Sequence, residues 1–252
     1  MTYVVRDGKP LLLDVYRRDR ELPAAPLVIA IHGGSWSGGT RLDLPALNSY
    51  LASRGYVVAS PEYRFAPAFV HPAASEDIDA AISYLKANAS QLGIDTTRIV
   101  LLGRSAGAQL ALLSAYTRND SGIKGVVSLY GPTDQKWGWD NPSDPMVYNS
   151  AETLRAFLHG DPATAPDAYR TSSPLNYVGL QTPPTLMIHG TIDPLVSVKQ
   201  SARLDSALSA SKRPHLFVEL PWATHGCDYI FNGPCGQIST FAIERFVAAV
   251  TK

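Results

Sequence analysis

Gly103-Arg104-Ser105-Ala106-Gly107 fits the pattern G-x-S-x-G, and the reading of this stretch decides the fold. Five residues with three fixed positions match by chance in many chains, so the flanks must carry the argument. Upstream, Arg98 to Leu102 is mostly aliphatic and β-branched, as a buried strand would be. Downstream, Ala108 to Tyr116 is rich in Ala and Leu, has no Gly or Pro, and reads as a helix. Strand, sharp turn and helix is the context this pattern requires. It holds the serine in a strained conformation, and small neighbours let strand and helix approach closely. Ser105 then presents its hydroxyl at the end of a sheet, facing helix N-terminal N–H groups that favour developing negative charge.

Outward from this elbow, strand and helix patterns alternate. Leu11 to Tyr16 reads as a strand paired with Tyr3 to Arg6 across an Asp7-Gly8 turn. Leu27 to Ile31 is an apolar run of the parallel-sheet kind, and Tyr56 to Ser60 is the next strand. Between them Leu44, Leu47, Asn48 and Leu51 share a helical face that Gly55 is placed to end. Ile78, Ala81, Ile82 and Leu85 mark a second helix, with Glu76 and Asp77 in its first turn, where the dipole favours acids. Beyond the elbow come strands at Gly125 to Leu129, Thr185 to Ile188 and His215 to Leu220. Leu204 and Leu208 mark a helix before the last strand; Ile243, Phe246, Val247 and Val250 define a closing one. Repeated strand–helix units predict an α/β fold, a mostly parallel central sheet with helices on both faces.

Composition narrows the function classes. The chain has 252 residues, 45% of them hydrophobic, enough for a sizeable core. No repeat, low-complexity segment or linker divides it, so one domain over residues 1–252 is expected. Lys plus Arg and Asp plus Glu number 22 each, leaving no net field for nucleic acid or an anionic membrane. The longest apolar runs are strand-sized, too short for a membrane span. The N-terminus lacks the features of a signal peptide, which predicts a cytoplasmic location unless a leader has been removed. Cys227 and Cys235 are too few for a disulfide scaffold or a cysteine-rich zinc site. They bracket one loop, and either a bridge in an oxidising setting or two thiols in a reducing one fits the spacing.

Asp134 to Tyr177 breaks the rhythm. It carries Trp137, Trp139, several prolines and a short helical patch near Glu152 to Leu158. It is too long for a loop inside a compact domain, which points to a small cap or lid; a surface insertion packed on the core is the plainer reading.

The chemistry lies at the strand ends. His32-Gly33-Gly34-Ser35-Trp36 follows the Leu27 to Ile31 run, and paired glycines there let backbone amides face a substrate as an oxyanion hole. The expected donors are the amides of Gly33, Gly34 and Ala106, with His32 a hydrogen-bonder of the loop rather than a base. Asp193 follows the Thr185 to Ile188 strand, and His225 follows His215 to Leu220. The order Ser105, Asp193, His225 is that of a nucleophile–acid–base triad on this kind of sheet. Asp134 is the reserve acid, and His189 a weaker rival base. No G-x-G-x-x-G fingerprint follows the first strands, so dinucleotide binding has little support.

Taken together, His32 to Trp36, Pro61-Glu62-Tyr63-Arg64, Gly103 to Ala108, Asp193 and Trp222 to Gly226 resemble the α/β-hydrolase superfamily. The resemblance is to its HGG-type carboxylesterases, near the hormone-sensitive-lipase-like and kynurenine-formamidase-like groups. It implies the α/β-hydrolase fold and a serine carboxylesterase acting on small-molecule esters, with no metal and no organic cofactor. An amidase or peptidase on the same fold, or a non-catalytic binding protein, are the alternatives. Hormone-sensitive-lipase relatives usually have a longer N-terminal cap, and often a further Gly where this chain has Ala108. The cap would then be built mainly from 134–177, with Trp137, Trp139, Tyr148, Phe157 and Tyr169 walling a small apolar site for short acyl groups, and Trp36 adding one more wall.

Overall fold

The computed structural model describes residues 1–18 and 24–252. Thr2–Arg6 (β1) and Lys9–Tyr16 (β2) form the expected hairpin. Its turn residues Asp7 and Gly8 both have positive φ, 49° and 74°, the turn whose twist suits two strands. There follow Ala25–Ile31 (β3), Pro45–Ser53 (α1), Val57–Pro61 (β4), Ala73–Ala87 (α2), Ala89–Leu92 (α3) and Ile94–Arg104 (β5). Ala106–Thr117 (α4) and Ile123–Leu129 (β6) precede three short helices, Gln135–Asp140 (α5), Ser150–Leu158 (α6) and Pro166–Thr171 (α7). Thr185–Gly190 (β7), Lys199–Ala210 (α8), His215–Leu220 (β8) and Pro234–Val250 (α9) complete the chain.

The eight strands form one sheet in the order β1-β2-β4-β3-β5-β6-β7-β8. From β4 to β8 neighbours run parallel, and the hairpin joins antiparallel at the β4 edge. Alternation along each strand divides the core. Leu27, Ile29, Ile31, Leu101 and Val126 face α2, α4 and α8, whereas Val28, Val100, Leu102 and Val127 face α1 and α9. Both faces are covered, so the central strands are apolar without polar alternation. This is the α/β-hydrolase arrangement.

Element boundaries shift for identifiable reasons. β5 starts at Ile94 rather than Arg98 because Ile94 and Asp95 pair with Ala25 and Pro26. Asp77, expected as a dipole partner at the start of α2, is fully buried instead. It accepts hydrogen bonds from Arg64 N and Nε at 2.9 and 2.8 Å and from Arg6 Nε at 3.3 Å, tying β1 and the segment after β4 to α2. Among the described residues no helix is long and apolar enough to cross a membrane.

β5 and α4 meet in a close backbone contact. A Cβ on Gly103 would lie 2.1 Å from Gly107 O, and one on Gly107 would lie 2.2 Å from His32 O. Backbone meets backbone there, with no flexible side chain to yield. Gly103→Ala should therefore cost about 3 kcal/mol or more of stability, as severe overpacking does. Gly38→Ala, where a Cβ would meet nothing within 4 Å, should be near neutral. Urea unfolding of the two variants checks this, and equal midpoints would show that the elbow contact is not limiting.

Candidate active site

Ser105 occupies the turn between β5 and α4 with φ 51° and ψ −121°, a left-handed conformation that a non-glycine residue holds only where its surroundings compel it. Its N–H donates to Leu129 O at 2.9 Å, and its C=O accepts from Ala108 N, so the chain is pinned on both sides. Among the described residues its hydroxyl makes no hydrogen bond. The first-turn amides of α4, Ala106 included, have no intrahelical acceptor and point their dipole at the same place.

The acid candidate follows β7. Asp193 Oδ1 accepts from the amides of Leu195 and Val196 at 2.9 Å each, and Oδ2 from His225 Nδ1 at 2.6 Å. His189 Nε2 lies 3.3 Å from the same Oδ2. Burial by itself would raise the Asp193 carboxyl, but the hydrogen bonds from His189 and His225, the His225 charge and the Val196 amide more than offset it. Its pKa is held well below the usual carboxylate range. Asp193 is thus an ionised acceptor, and His225 is left with Nε2 as its free ring nitrogen.

The other candidates are placed elsewhere. Asp134 caps α5 by accepting from Trp137 N at 2.9 Å and pairs with Arg203 of α8 at 2.6 Å. His189 is buried, with Nδ1 on Ser201 Oγ at 2.8 Å and Nε2 on Val196 O at 2.9 Å, so it braces the Asp193 turn from behind. Cys227 and Cys235 are joined in a disulfide, Cα atoms 5.7 Å apart, which ties the loop after His225 to the first turn of α9.

Gly33 lies directly against the elbow: a Cβ there would stand 3.0 Å from Arg104 O and 3.3 Å from Ser105 Cβ. Gly34, at φ 113°, starts a turn in which its carbonyl accepts from Ser37 and Gly38 amides. Neither glycine amide donates to any described residue. His32 donates Nδ1–H to Gly33 O at 2.7 Å and stacks on Tyr63, whose hydroxyl donates to His32 O and Gly33 O. Burial, only partly countered by the Gly33 bond, lowers the His32 pKa and keeps the ring neutral.

A cavity of about 140 Å³ opens beside Ser105 and Ala106, walled by Trp36, Trp137, Tyr148 and Leu154. The five aromatics expected around it divide. Trp137 and Tyr148 line it, the latter donating to Ser35 Oγ at 2.8 Å. Phe157 and Tyr169 instead belong to the core, and Trp139 packs against them. Phe157 stacks on Trp36 with centroids 4.2 Å apart, and Tyr169 sits edge-on to Trp139 at 5.8 Å. They pack inward because the short helices α6 and α7 have an apolar face of their own to bury.

Sequence reasoning missed several supports. Gln109, fully buried in α4, accepts from Trp36 Nε1 and donates to Ser172 O, joining the Gly33 loop to the segment after α7. Gln200 of α8 accepts from the amides of Thr133 and Asp134 at 2.9 and 2.8 Å, fixing where the excursion leaves the sheet. For Gln109 the available signal was a Gln within an apolar helix; α8, around Gln200, is polar and gave none. His71, preceding α2, meets Thr171 Oγ1 at 3.1 Å and lies edge-on to Phe157.

Burial lowers the His71 pKa to about 4, against about 6.5 in an unfolded chain. As pH falls below the unfolded value, the unfolded chain takes up a proton that the folded one refuses. Stability is therefore lost from about pH 6.5 down to about 4. Urea unfolding at pH 7 and 4.5 should show a His71 share of ~2 kcal/mol, which His71→Asn should remove. An unchanged pH slope in that variant would assign the loss to other groups.

A family model described as BD-FAE matches residues 13–208. The chain is similar to two proteins of Mycobacterium tuberculosis (strain ATCC 25618 / H37Rv). Esterase LipC is 32% identical over 260 residues, 97% of this chain and 63% of LipC. The probable carboxylic ester hydrolase LipM is 30% identical over 259 residues, 96% of this chain and 59% of LipM. The chain thus spans about three fifths of the length of these curated relatives. Among solved structures, the propionate-bound thermophilic esterase Est2 from the Planctomycetes species Thermogutta terrifontis aligns with a TM-score of 0.82. The alignment covers 99% of this chain and 93% of that one at 20% identity.

Proposed function

This chain belongs to the BD-FAE family, and from that premise we propose that it is a serine carboxylesterase of short-chain acyl esters. The observation that carries the reading is the 2.6 Å bond from His225 Nδ1 to a buried, ionised Asp193, at the same sheet edge as a strained Ser105 with an unengaged hydroxyl. Its similarity to LipC and LipM supports ester rather than amide hydrolysis.

In this mechanism His225 Nε2 removes the Ser105 proton as Oγ attacks the ester carbonyl, while Asp193 fixes the tautomer and stabilises the imidazolium. Amides of Gly33, Gly34 and Ala106 receive the oxyanion, each donor lowering the barrier by ~2.7–4 kcal/mol. The alcohol leaves with the proton from His225. Water then attacks the acyl-enzyme with the same base, regenerating Ser105. Residues 134–177 act as a small cap that supplies the wall of the site opposite the sheet.

Ser105→Ala and His225→Ala should abolish turnover to within background, and Asp193→Asn should lower kcat on the order of 10³–10⁴-fold. Asp134→Asn should lower it less than about tenfold, since Asp134 only caps α5 and pairs with Arg203. Steady-state kinetics on folded variants decide; if Asp134→Asn is the more damaging, the acid is misassigned.

Cavity size sets the acyl preference. About 140 Å³ is close to a cavity of ~150 Å³ that admits a benzene ring. Each methylene that fits adds ~0.8 kcal/mol, and one that does not must displace packed Trp36 or Trp137. Nitrophenyl acetate to butyrate should be the best substrates, with a steep decline by octanoate. A kcat/KM still climbing at dodecanoate would mean that no enclosed site exists.

A further inference from the structure

The variable residue of the elbow, Arg104, is itself buried. Its side chain is 5% exposed, and Nε stands 2.6 Å from Oδ2 of Asp228, which is 4% exposed. The N–H is off line, so the contact is ionic rather than an aligned hydrogen bond. The other oxygen of Asp228 accepts from Tyr130 Oη at 2.6 Å. Burial first, and then the Asp228 charge, push the Tyr130 phenol up, so it remains a donor.

Each partner is adjacent to the proposed machinery. Arg104 immediately precedes Ser105. Tyr130 follows Leu129, whose carbonyl holds the Ser105 amide, and its ring lies 4.5 Å from the His225 ring. Asp228 is three residues beyond His225, in the 3-10 turn Cys227–Tyr229 that Gly226 opens at φ 71°. From Pro221 to Ile230, Asp228 is the one buried residue, while Trp222 and Ile230 are exposed. Apolar packing of this loop on the core is limited to the half-buried Ala223 and Cys227, although the loop carries the base. Trp222 N donates to Thr191 Oγ1 and Ala223 O accepts from Ile192 N at the turn after β7, and Asp193 holds His225. Toward the elbow the loop is gripped through the Asp228 carboxylate, from β5 and from the end of β6. The Arg104 guanidinium also lies 4.7 Å from the Tyr229 ring centre, and the disulfide fastens the far side to α9.

We infer that Arg104, Tyr130 and Asp228 form a positioning unit that sets His225 Nε2 against Ser105 Oγ, with Asp228 the residue that joins the two loops. This rests on the esterase reading, and it adds that the elbow's variable residue locates the base. A loop shift of about 1 Å can cost roughly 10²-fold in rate, so weakening the unit should slow proton transfer before it unfolds the protein.

The test separates proton transfer from general damage. Ethyl butyrate and nitrophenyl butyrate give the same acyl-enzyme. Both esters need His225 to take the Ser105 proton, but ethoxide also needs that proton to depart and nitrophenoxide does not. The ethyl ester therefore depends on the placement of Nε2 in two transfers and the nitrophenyl ester in one. Asp228→Asn leaves Arg104 buried and unpaired, which invites misfolding. Tyr130→Phe, which keeps the ring, and the double variant Arg104→Met with Asp228→Leu, which removes both charges together, avoid that. With melting profiles confirming the fold, kcat/KM for ethyl butyrate should fall roughly tenfold in Tyr130→Phe and roughly hundredfold in the double variant. The loss on nitrophenyl butyrate should be several-fold smaller. Unchanged kcat/KM on both esters, or equal losses on both, would overturn the positioning role. Ser105→Ala, run alongside, tests the underlying reading: hydrolysis surviving that change would overturn the esterase assignment itself.

Discussion

The close approach of β5 and α4 at the elbow is the contact on which the rest of the structure depends. Gly103 and Gly107 touch backbone to backbone, and Gly107 also abuts the His32 carbonyl at the end of β3. A contact of this kind cannot be relieved by a rotamer change, so it fixes the direction in which the chain leaves the strand. It also forces Ser105 into its left-handed conformation and places Gly33 against it. The α4 helix is buried from Ala106 to Tyr116, so any shift in the turn would be transmitted into the core layer on its face of the sheet.

Around this point the loops at the parallel-strand ends are held by buried polar side chains more than by apolar packing. Tyr63 and His32 brace the Gly33 loop, Gln109 connects it to the excursion, and Gln200 anchors where the excursion begins. His189 and two backbone amides support Asp193, and Asp228 holds the loop of His225. Loops cannot bury much apolar area without stranding their own amides. A buried side chain with a defined hydrogen-bond geometry gives orientation instead, and an unpaired one costs more than a paired one gains. The position of each proposed site residue is thus set by the hydrogen-bond geometry of neighbouring groups.

The excursion combines the same two devices. α6 and α7 bury Phe157, Leu154 and Tyr169 and become part of the core. Trp137 and Tyr148 face the cavity, and Leu154 lines it while also packing on the core. The stacked Trp36–Phe157 pair is where the two meet, one ring on the wall of the site and the other in the core. That makes the shape of the cavity a consequence of how the excursion packs on the sheet.

The alternation of strand and helix, the elbow, and the candidates Ser105, Asp193 and His225 could be picked out in the sequence because each follows from local pattern. Apolar runs have the period of their element, a G-x-S-x-G turn needs its glycines whatever surrounds it, and strand-end residues are located by counting strands. Tertiary structure alone decided what depends on the partner. Asp77 looked like a dipole acid until Arg6 and Arg64 were placed beside it. Phe157 and Tyr169 had the same apolar signature whether they faced the cavity or the core. Arg104 and Asp228 lie 124 positions apart, and nothing local marks either as buried; their attraction exists only once β5 and the loop after β8 have been brought to one end of the sheet. Periodicity records which face a residue shares with its chain neighbours, and it carries no record of which distant charge will meet it.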